Sequence, residues 1–427
     1  MGENGTKSGR SEGKFASRRS ASTTKQDHPW GELSPRARLF EVVLHMGFEG
    51  VLELLEADRT ALCGPRRRWQ SDRTAYRYGF DEGRLVYGGR TVKVTKPRVR
   101  SVDGRELELP TWRRFAEEDP LQDRVLRQIL AGVTSRKYAG SLDAMPEGMA
   151  PGLVSASSVS RRFIAVTQRR MTDFLSRPVG ALDIVAVLVD GTVLGETTLV
   201  VALGIDREGK KHVLGVVEGT TESEATCRSL LRDLIERGLP VERCRLWVID
   251  GGKGLRKAIR TTFGDWALIQ RCQVHKMRNV LEHLPKSKHA WVRAAIRKAW
   301  GLAKENEAKR KLLDLASQLD SDHPGAASSL REGLDDTLTL IRLGVKPGAL
   351  HRTLCSTNPI ENLIGGTKGI ARNVKRWRGG RMVLRWSVTG LIEAEKKFRR
   401  IRGYRELPQL IAALDASKAM DTEREVA

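Results

Sequence analysis

Two aspartates stand where apolar segments run into glycine. Asp190 follows Ala186-Val187-Leu188-Val189 and precedes Gly191, and Asp250 follows Leu246-Trp247-Val248-Ile249 and precedes Gly251-Gly252. A carboxylate that closes a buried strand and is followed by glycine lies on a sheet rim, where a ligand can reach it. If the two strands are neighbours, both carboxylates join one cluster across a gap of 60 residues. Clustered buried carboxylates are costly unless a cation neutralises them. Mg2+ suits the place, since it takes hard oxygen ligands and also grips phosphates. The plainer alternative is that each aspartate only caps a turn. A third carboxylate, Glu361, stands in Ser356-Thr357-Asn358-Pro359-Ile360-Glu361-Asn362. There Ser, Thr or Asn starts a helix and Pro suits its first turn, so capping alone would also explain the Glu.

These residues need a frame. Ile184–Val189, Thr197–Ile205 and Lys211–Val217 read as strands joined by short polar turns. An amphipathic helix follows over Glu222–Arg237, then a strand at Arg245–Ile249, a helix at Leu255–Thr262 and a strand at Trp266–Gln270. Three close strands and then strand-helix-strand predict an antiparallel meander extended by parallel strands, an α/β core with a mixed five-stranded sheet. From Val274 to His351 the composition is helical, and another helical stretch begins near Pro359. No repeat of fixed period is present.

The flanks are basic. Residues 1–29 read as a disordered basic tail. Apolar spacing over Ser34–Leu55 predicts a small helical unit. Arg59–Arg114 holds 15 Lys+Arg against 6 Asp+Glu, and alternation at Arg90–Val94 and Glu106–Leu109 predicts a β-hairpin or ribbon. Leu121–Leu130, a short helix at Arg136–Leu142 and a basic helix after Ser155-Ala156-Ser157-Ser158-Val159-Ser160 suggest a helix-turn-helix. Arg136, Lys137, Ser157, Ser160, Arg161 and Arg162 are its candidate DNA contacts. Arg352–Arg402 carries 13 Lys+Arg against 3 Asp+Glu. There Lys368, Arg372, Lys375, Arg376, Arg378, Arg381 and Arg385 are expected on a basic helix facing the DNA backbone. The expected organisation is a tail (1–29), an N-terminal DNA-binding region (30–175), a first part of the core (180–273), a helical insertion (274–351), a last part of the core (352–403) and a C-terminal tail (404–427).

Composition agrees with a polyanion partner. Across 427 residues, 75 Lys+Arg against 52 Asp+Glu leave a formal charge of +23, which favours nucleic acid or an anionic surface. Aromatics are only 5%, which argues against base stacking as the main grip. The apolar run around Ile184–Leu203 is broken by polar residues and is no membrane span. The N-terminus lacks the apolar segment of a secretory signal. Five scattered cysteines fit a reduced compartment, so the expected location is cytoplasmic, on the nucleoid.

In order along the chain, Asp190, Asp250-Gly251-Gly252-Lys253-Gly254-Leu255, Arg271-Cys272-Gln273-Val274-His275-Lys276-Met277-Arg278-Asn279-Val280 and Thr357-Asn358-Pro359-Ile360-Glu361-Asn362 resemble the bacterial Mutator-type transposases of insertion sequences. Gly132-Val133-Thr134-Ser135-Arg136-Lys137 and Val154–Arg161 extend the resemblance upstream, so that it covers roughly 47–403. It implies a ribonuclease-H-like core, interrupted by an all-helical insertion and carrying an Asp-Asp-Glu triad of Asp190, Asp250 and Glu361. The same residues would hold two Mg2+ ions, for which Mn2+ can substitute. The implied partner is double-stranded DNA, as terminal repeats and target, and handling two ends calls for a homodimer or higher oligomer. The expected reaction is nicking of element ends and joining of the 3′-OH to target DNA. A domesticated DNA-binding regulator and a nuclease without strand transfer are the alternatives.

Cys272 and His275 match the family's Cys-x-x-His signature. Structural zinc needs four ligands, and His283 and His289 do not complete a finger, so a packing or hydrogen-bonding role beside the site is expected. Where members often carry a Trp in the insertion, this chain has Leu334, with Trp291 and Trp300 earlier.

Overall fold

A computed structural model describes residues 35–68, 73–87, 90–117, 122–142, 154–219 and 223–426. The expected tail at 1–29 lies outside them. The described residues form two compact units, one holding residues 35–68, 73–87 and 92–117, the other 90–91, 122–142, 154–219 and 223–426.

In the first unit, α1 (Pro35–Cys63) precedes β1 (Ala75–Tyr87), β2 (Arg90–Ser101), β3 (Glu106–Leu107) and α2 (Pro110–Glu117). The strands form one sheet in the order β1-β2-β3. The expected ribbon is therefore there, but longer, and its first strand was not anticipated. Gly79 and Gly83 mask its alternation. Val51 and Leu55 of α1 pack with Leu85, Val94, Val99 and Trp112. Asp58 accepts the Thr111 N–H at 2.7 Å, so α1 also caps α2.

The second unit opens with α3 (Gln122–Leu130) and α4 (Ala156–Leu175). Ser155 caps α4 by accepting the Ser158 N–H at 3.1 Å. The short helix expected at Arg136–Leu142 is only a single 3-10 turn, Ala139–Ser141. Val125, Leu126 and Tyr138 pack with Val159, Phe163 and Trp386.

The central sheet contains β4 (Ile184–Leu194), β5 (Thr197–Asp206), β6 (Lys211–Gly219), β7 (Arg245–Ile249) and β8 (Ala267–Arg271), in the order β6-β5-β4-β7-β8. The first three pair antiparallel, while β7 and β8 extend the sheet in parallel. This is the mixed five-stranded sheet expected from the spacing. Along β4 the side chains alternate between two cores, as a period of two dictates. Val187 and Val189 meet α5 (Glu224–Glu236) and α6 (Lys253–Phe263) through Leu230, Leu234, Ile259 and Phe263. Ala186 and Leu188 face the opposite layer.

That opposite layer contains α13 (Asn358–Ala371), α14 (Gly380–Glu395) and α15 (Leu407–Val426). The stretch 404–427, expected as a tail, is thus largely helix, with Leu407, Leu410 and Leu414 buried in the core. Between the halves, α7 (Gln273–Glu282), α8 (Lys286–Trp300), α9 (Glu305–Leu319), α10 (Pro324–Arg331), α11 (Thr339–Arg342) and α12 (Ala349–Leu354) make the helical insertion. It has its own core, including Val292, Ile296, Leu312 and Leu315.

The end of the insertion closes the exposed edge of the sheet. Buried Gln270 on β8 donates to the Thr337 carbonyl at 3.1 Å and accepts the Leu340 N–H at 3.0 Å. Thr339 Oγ1 donates to the Ile269 carbonyl at 2.6 Å. An edge strand with unpaired backbone groups invites foreign pairing, and here the insertion occupies it.

Candidate active site

The parallel ladder between β4 and β7 runs Ala186–Leu246, Val187–Trp247, Leu188–Val248. Asp190 and Asp250 each lie two residues beyond the last pair of that ladder, so the two parallel strands carry them toward the same end of the sheet. The glycine after Asp190 predicts that it closes its strand, but it does not. β4 continues to Leu194, paired throughout with β5, with Asp190 opposite Val201. What ends at Asp190 is the parallel neighbour, since β7 stops at Ile249. The rim is real, but it belongs to the β7 side only.

Asp250 begins a tight turn. Its Oδ1 accepts the Gly252 N–H at 2.8 Å, and α6 starts at the next residue. Gly251 sits at φ +109°, and a Cβ there would lie 2.2 Å from Arg271 Nε. Only glycine combines that left-handed backbone with so close a neighbour. Arg271 in turn donates to the Glu332 carbonyl at 2.8 Å, so the insertion buttresses the turn.

Cys272 leaves β8 beside this turn. Its N–H donates to the Ile249 carbonyl at 2.7 Å, and its sulfur caps α7 by accepting the His275 N–H at 3.5 Å. The Gln273 N–H donates to the Cys355 carbonyl at 2.8 Å, which draws in the segment leading to α13. There the Thr357 N–H donates to Cys272 Sγ at 3.4 Å. Thr357 Oγ1 lies 2.5 Å from Glu361 Oε1, 3.2 Å from His275 Nδ1 and 3.4 Å from Cys272 Sγ. Glu361 therefore does not cap its helix, because the N–H that a capping Glu would take is bound to sulfur.

The electrostatics knit the same residues together. A hydrogen bond to Cys272 raises His275 above the ordinary imidazole range, against burial, and the charges of Cys272, Glu361 and Asp250 add to the rise. Burial pushes the Cys272 thiol up, but hydrogen bonds from His275 and Thr357 prevail and leave it low. Asp250 and Glu361 thus act on one imidazole. Glu361 Oε2 and Asp250 Oδ2 make no hydrogen bond among the described residues, so each carboxylate keeps an oxygen for a ligand. Among the described residues, no three His, Cys, Asp or Glu side chains stand close enough to hold one metal ion. The backbone brings the carboxylates to one rim without drawing them into a single coordination group.

The other candidate residues distribute unevenly. Arg136, Lys137, Ser157, Ser160 and Arg161 are exposed, and Arg162 is half-buried. Lys368 lies on α13, but Arg372, Lys375, Arg376 and Arg378 follow its last residue, in the exposed connection to α14. The single basic helix expected here is a helix end at Ala371, a loop, and a second helix that starts at Gly380. Arg385 is buried and is not on that basic surface. Leu334 is buried, and Trp300 is buried with its Nε1 donating to Thr337 Oγ1 at 3.3 Å, whereas Trp291 is exposed. Trp300, Met277 and Arg297 are among the residues lining a cavity of about 470 Å3 beside α7.

From sequence, Thr357 stands out only as part of a helix start and of the Thr357–Asn362 motif, with no role of its own. Its position four residues before Glu361, on the same helix face, was the available signal.

Similarity to known proteins identifies the family. The family model for the Mutator family of transposases matches residues 39–399, and the chain belongs to that family. It is 32% identical over 241 residues to the transposase for insertion sequence element IS6120 of Mycolicibacterium smegmatis, covering 55% of this chain and 71% of that one. It is 28% identical over 329 residues to the transposase for element IS256 in transposon Tn4001 of Staphylococcus aureus, covering 73% and 79%. Among the described residues, no helix is long and apolar enough to cross a membrane.

Proposed function

We propose that this chain is an insertion-sequence transposase that nicks the ends of its element by hydrolysis and joins the freed 3′-OH to target DNA. Asp190, Asp250 and Glu361 are its catalytic carboxylates, on a ribonuclease-H-like core. The observation that supports this reading is the parallel pairing of β4 and β7, two residues short of Asp190 and Asp250, together with the hydrogen bonds that link Cys272 and Thr357 to Glu361. The oxygens that Asp250 and Glu361 keep free are the hard donors that Mg2+ prefers, with Mn2+ as a substitute. If such ions were bound, Asp190, Asp250 and Glu361 would be the residues to hold them, and the ions would supply activation of the attacking oxygen and charge stabilisation at the leaving one. The protein's own part is to fix the carboxylates and the strand. Asp250 is held by its turn and Glu361 by its neighbours.

Double-stranded DNA is the partner, as terminal repeats and as target, and two ends handled together call for a homodimer or larger assembly. Exposed Lys368, Arg372, Lys375, Arg376 and Arg378 supply phosphate contacts near the site. Arg136, Lys137, Ser157, Ser160, Arg161 and Arg162, in a helix-turn-helix role, supply contacts to the ends. The test is a Mg2+-dependent assay on labelled DNA from the flanks of the gene. Cutting and joining are expected. Cutting alone would make the protein a nuclease, and binding without cutting would make it a regulator.

A further inference from the structure

We propose that Thr357 is the positioning residue of Glu361, its hydroxyl forming a hub that occupies Oε1 and leaves Oε2 to face a cation. The inference rests on Glu361 being the third carboxylate of the site.

A hydroxyl has one proton to donate and two lone pairs. Thr357 Oγ1 has three neighbours, at 2.5 Å (Glu361 Oε1), 3.2 Å (His275 Nδ1) and 3.4 Å (Cys272 Sγ). An ionised carboxylate only accepts. The proton therefore lies toward Glu361, and the 2.5 Å separation is that of a charge-assisted bond, about 2.5–2.7 Å. With that proton given to Glu361, none is left for Cys272 Sγ, and a lone pair remains for His275 Nδ1. His275 must then present a protonated Nδ1, which fixes its tautomer.

The hub is anchored on both sides. Thr357 is fully buried, and its own N–H is bound to Cys272 Sγ. The Cys272 N–H is bound to the Ile249 carbonyl, one residue before Asp250. Three hydrogen bonds thus connect the strand of the second aspartate to the glutamate, across 85 residues between Cys272 and Thr357. A glutamate on a first helical turn, with three rotatable bonds, would otherwise sample many positions. With Oε1 taken, Oε2 is the oxygen on offer.

The full-length Thr357→Val variant removes the hydroxyl and keeps the branched shape, while Thr357→Ser keeps the hydroxyl. Titration with Mn2+ alone, followed by electron paramagnetic resonance, reads binding without turnover. Thr357→Val is expected to weaken Mn2+ binding about 10–100-fold, the usual consequence of losing an outer hydrogen bond to a ligand. Thr357→Ser is expected to bind as the wild type does. Unchanged binding by Thr357→Val, or equal loss in both variants, overturns the proposal.

A measurement on the unaltered chain guards against misfolding of the variants. Nitrogen-15 spectra of histidine-labelled protein should show a protonated Nδ1 on His275 at neutral pH, and a bare Nδ1 overturns the hub. Failure of the wild type to bind Mn2+, with Nδ1 protonated, would strike the metal-dependent function while supporting the hub.

Discussion

The two halves of the rim deliver their carboxylates by different means. Asp190 and Asp250 are placed by backbone, through a parallel register and a turn that only glycine can make. Glu361 is placed by side chains, through a sulfur and a hydroxyl. Strand register is enforced by every apolar residue that would change face if it slipped. A side-chain clasp depends on a few atoms and can be loosened without unfolding the sheet. The backbone-held half is therefore rigid by construction, and the side-chain-held half is where the site can be tuned.

The largest effect is expected from the carboxylates themselves. Asp190→Asn, Asp250→Asn and Glu361→Gln should each abolish Mg2+-dependent cleavage of labelled element ends, with affinity in gel-shift assays retained. Full activity in any one purified variant would remove that residue from the catalytic set.

Next comes the turn. Gly251→Ala puts a Cβ into Arg271 and strains a left-handed backbone, so urea unfolding should show a loss of roughly 1–3 kcal/mol. An unchanged urea midpoint would mean that the backbone half is softer than its register implies.

Cys272→Ala strips the acceptor from the Thr357 and His275 N–H groups, two donors near the buried centre of the clasp. A buried donor left unsatisfied costs about 1–3 kcal/mol. Cys272→Ser, which keeps an acceptor, should recover part of this in thermal melts. If serine is no better than alanine, sulfur serves packing rather than hydrogen bonding.

The smallest effect on the site should come from the exposed connection after α13. Lys375→Ala, Arg376→Ala and Arg378→Ala should leave stability unchanged. Each should lower the slope of log affinity against log salt by about 0.9, the signature of one lost phosphate contact on duplex DNA. A slope equal to that of the wild type would take the residue off the DNA path.

Much of this was legible from residue types and spacing. Continuous apolar runs ending in Asp-Gly identified β4 and β7, because a strand buried on both faces shows as a solid hydrophobic block. The insertion was legible as helix from composition, although not its closure of the β8 edge, because Gln270 and Thr337 meet across 67 residues. β1 escaped notice because Gly79 and Gly83 break its pattern. The basic stretch after Glu361 was visible as charge, but charge does not specify that Arg385 turns inward while Arg376 stays out.

By itself, then, the sequence determined the succession of strands and helices along the chain, the two Asp-Gly positions as candidates, the basic flanks and the family resemblance. Those are properties of neighbours in sequence, where periodicity and residue type act directly. Only the tertiary structure decided that Asp190 lies within a strand rather than at its end, and that Thr357 rather than a cap interaction occupies Glu361. Both depend on which distant groups come within about 3 Å, the length of a hydrogen bond. That distance is set by packing between segments, which no local pattern encodes.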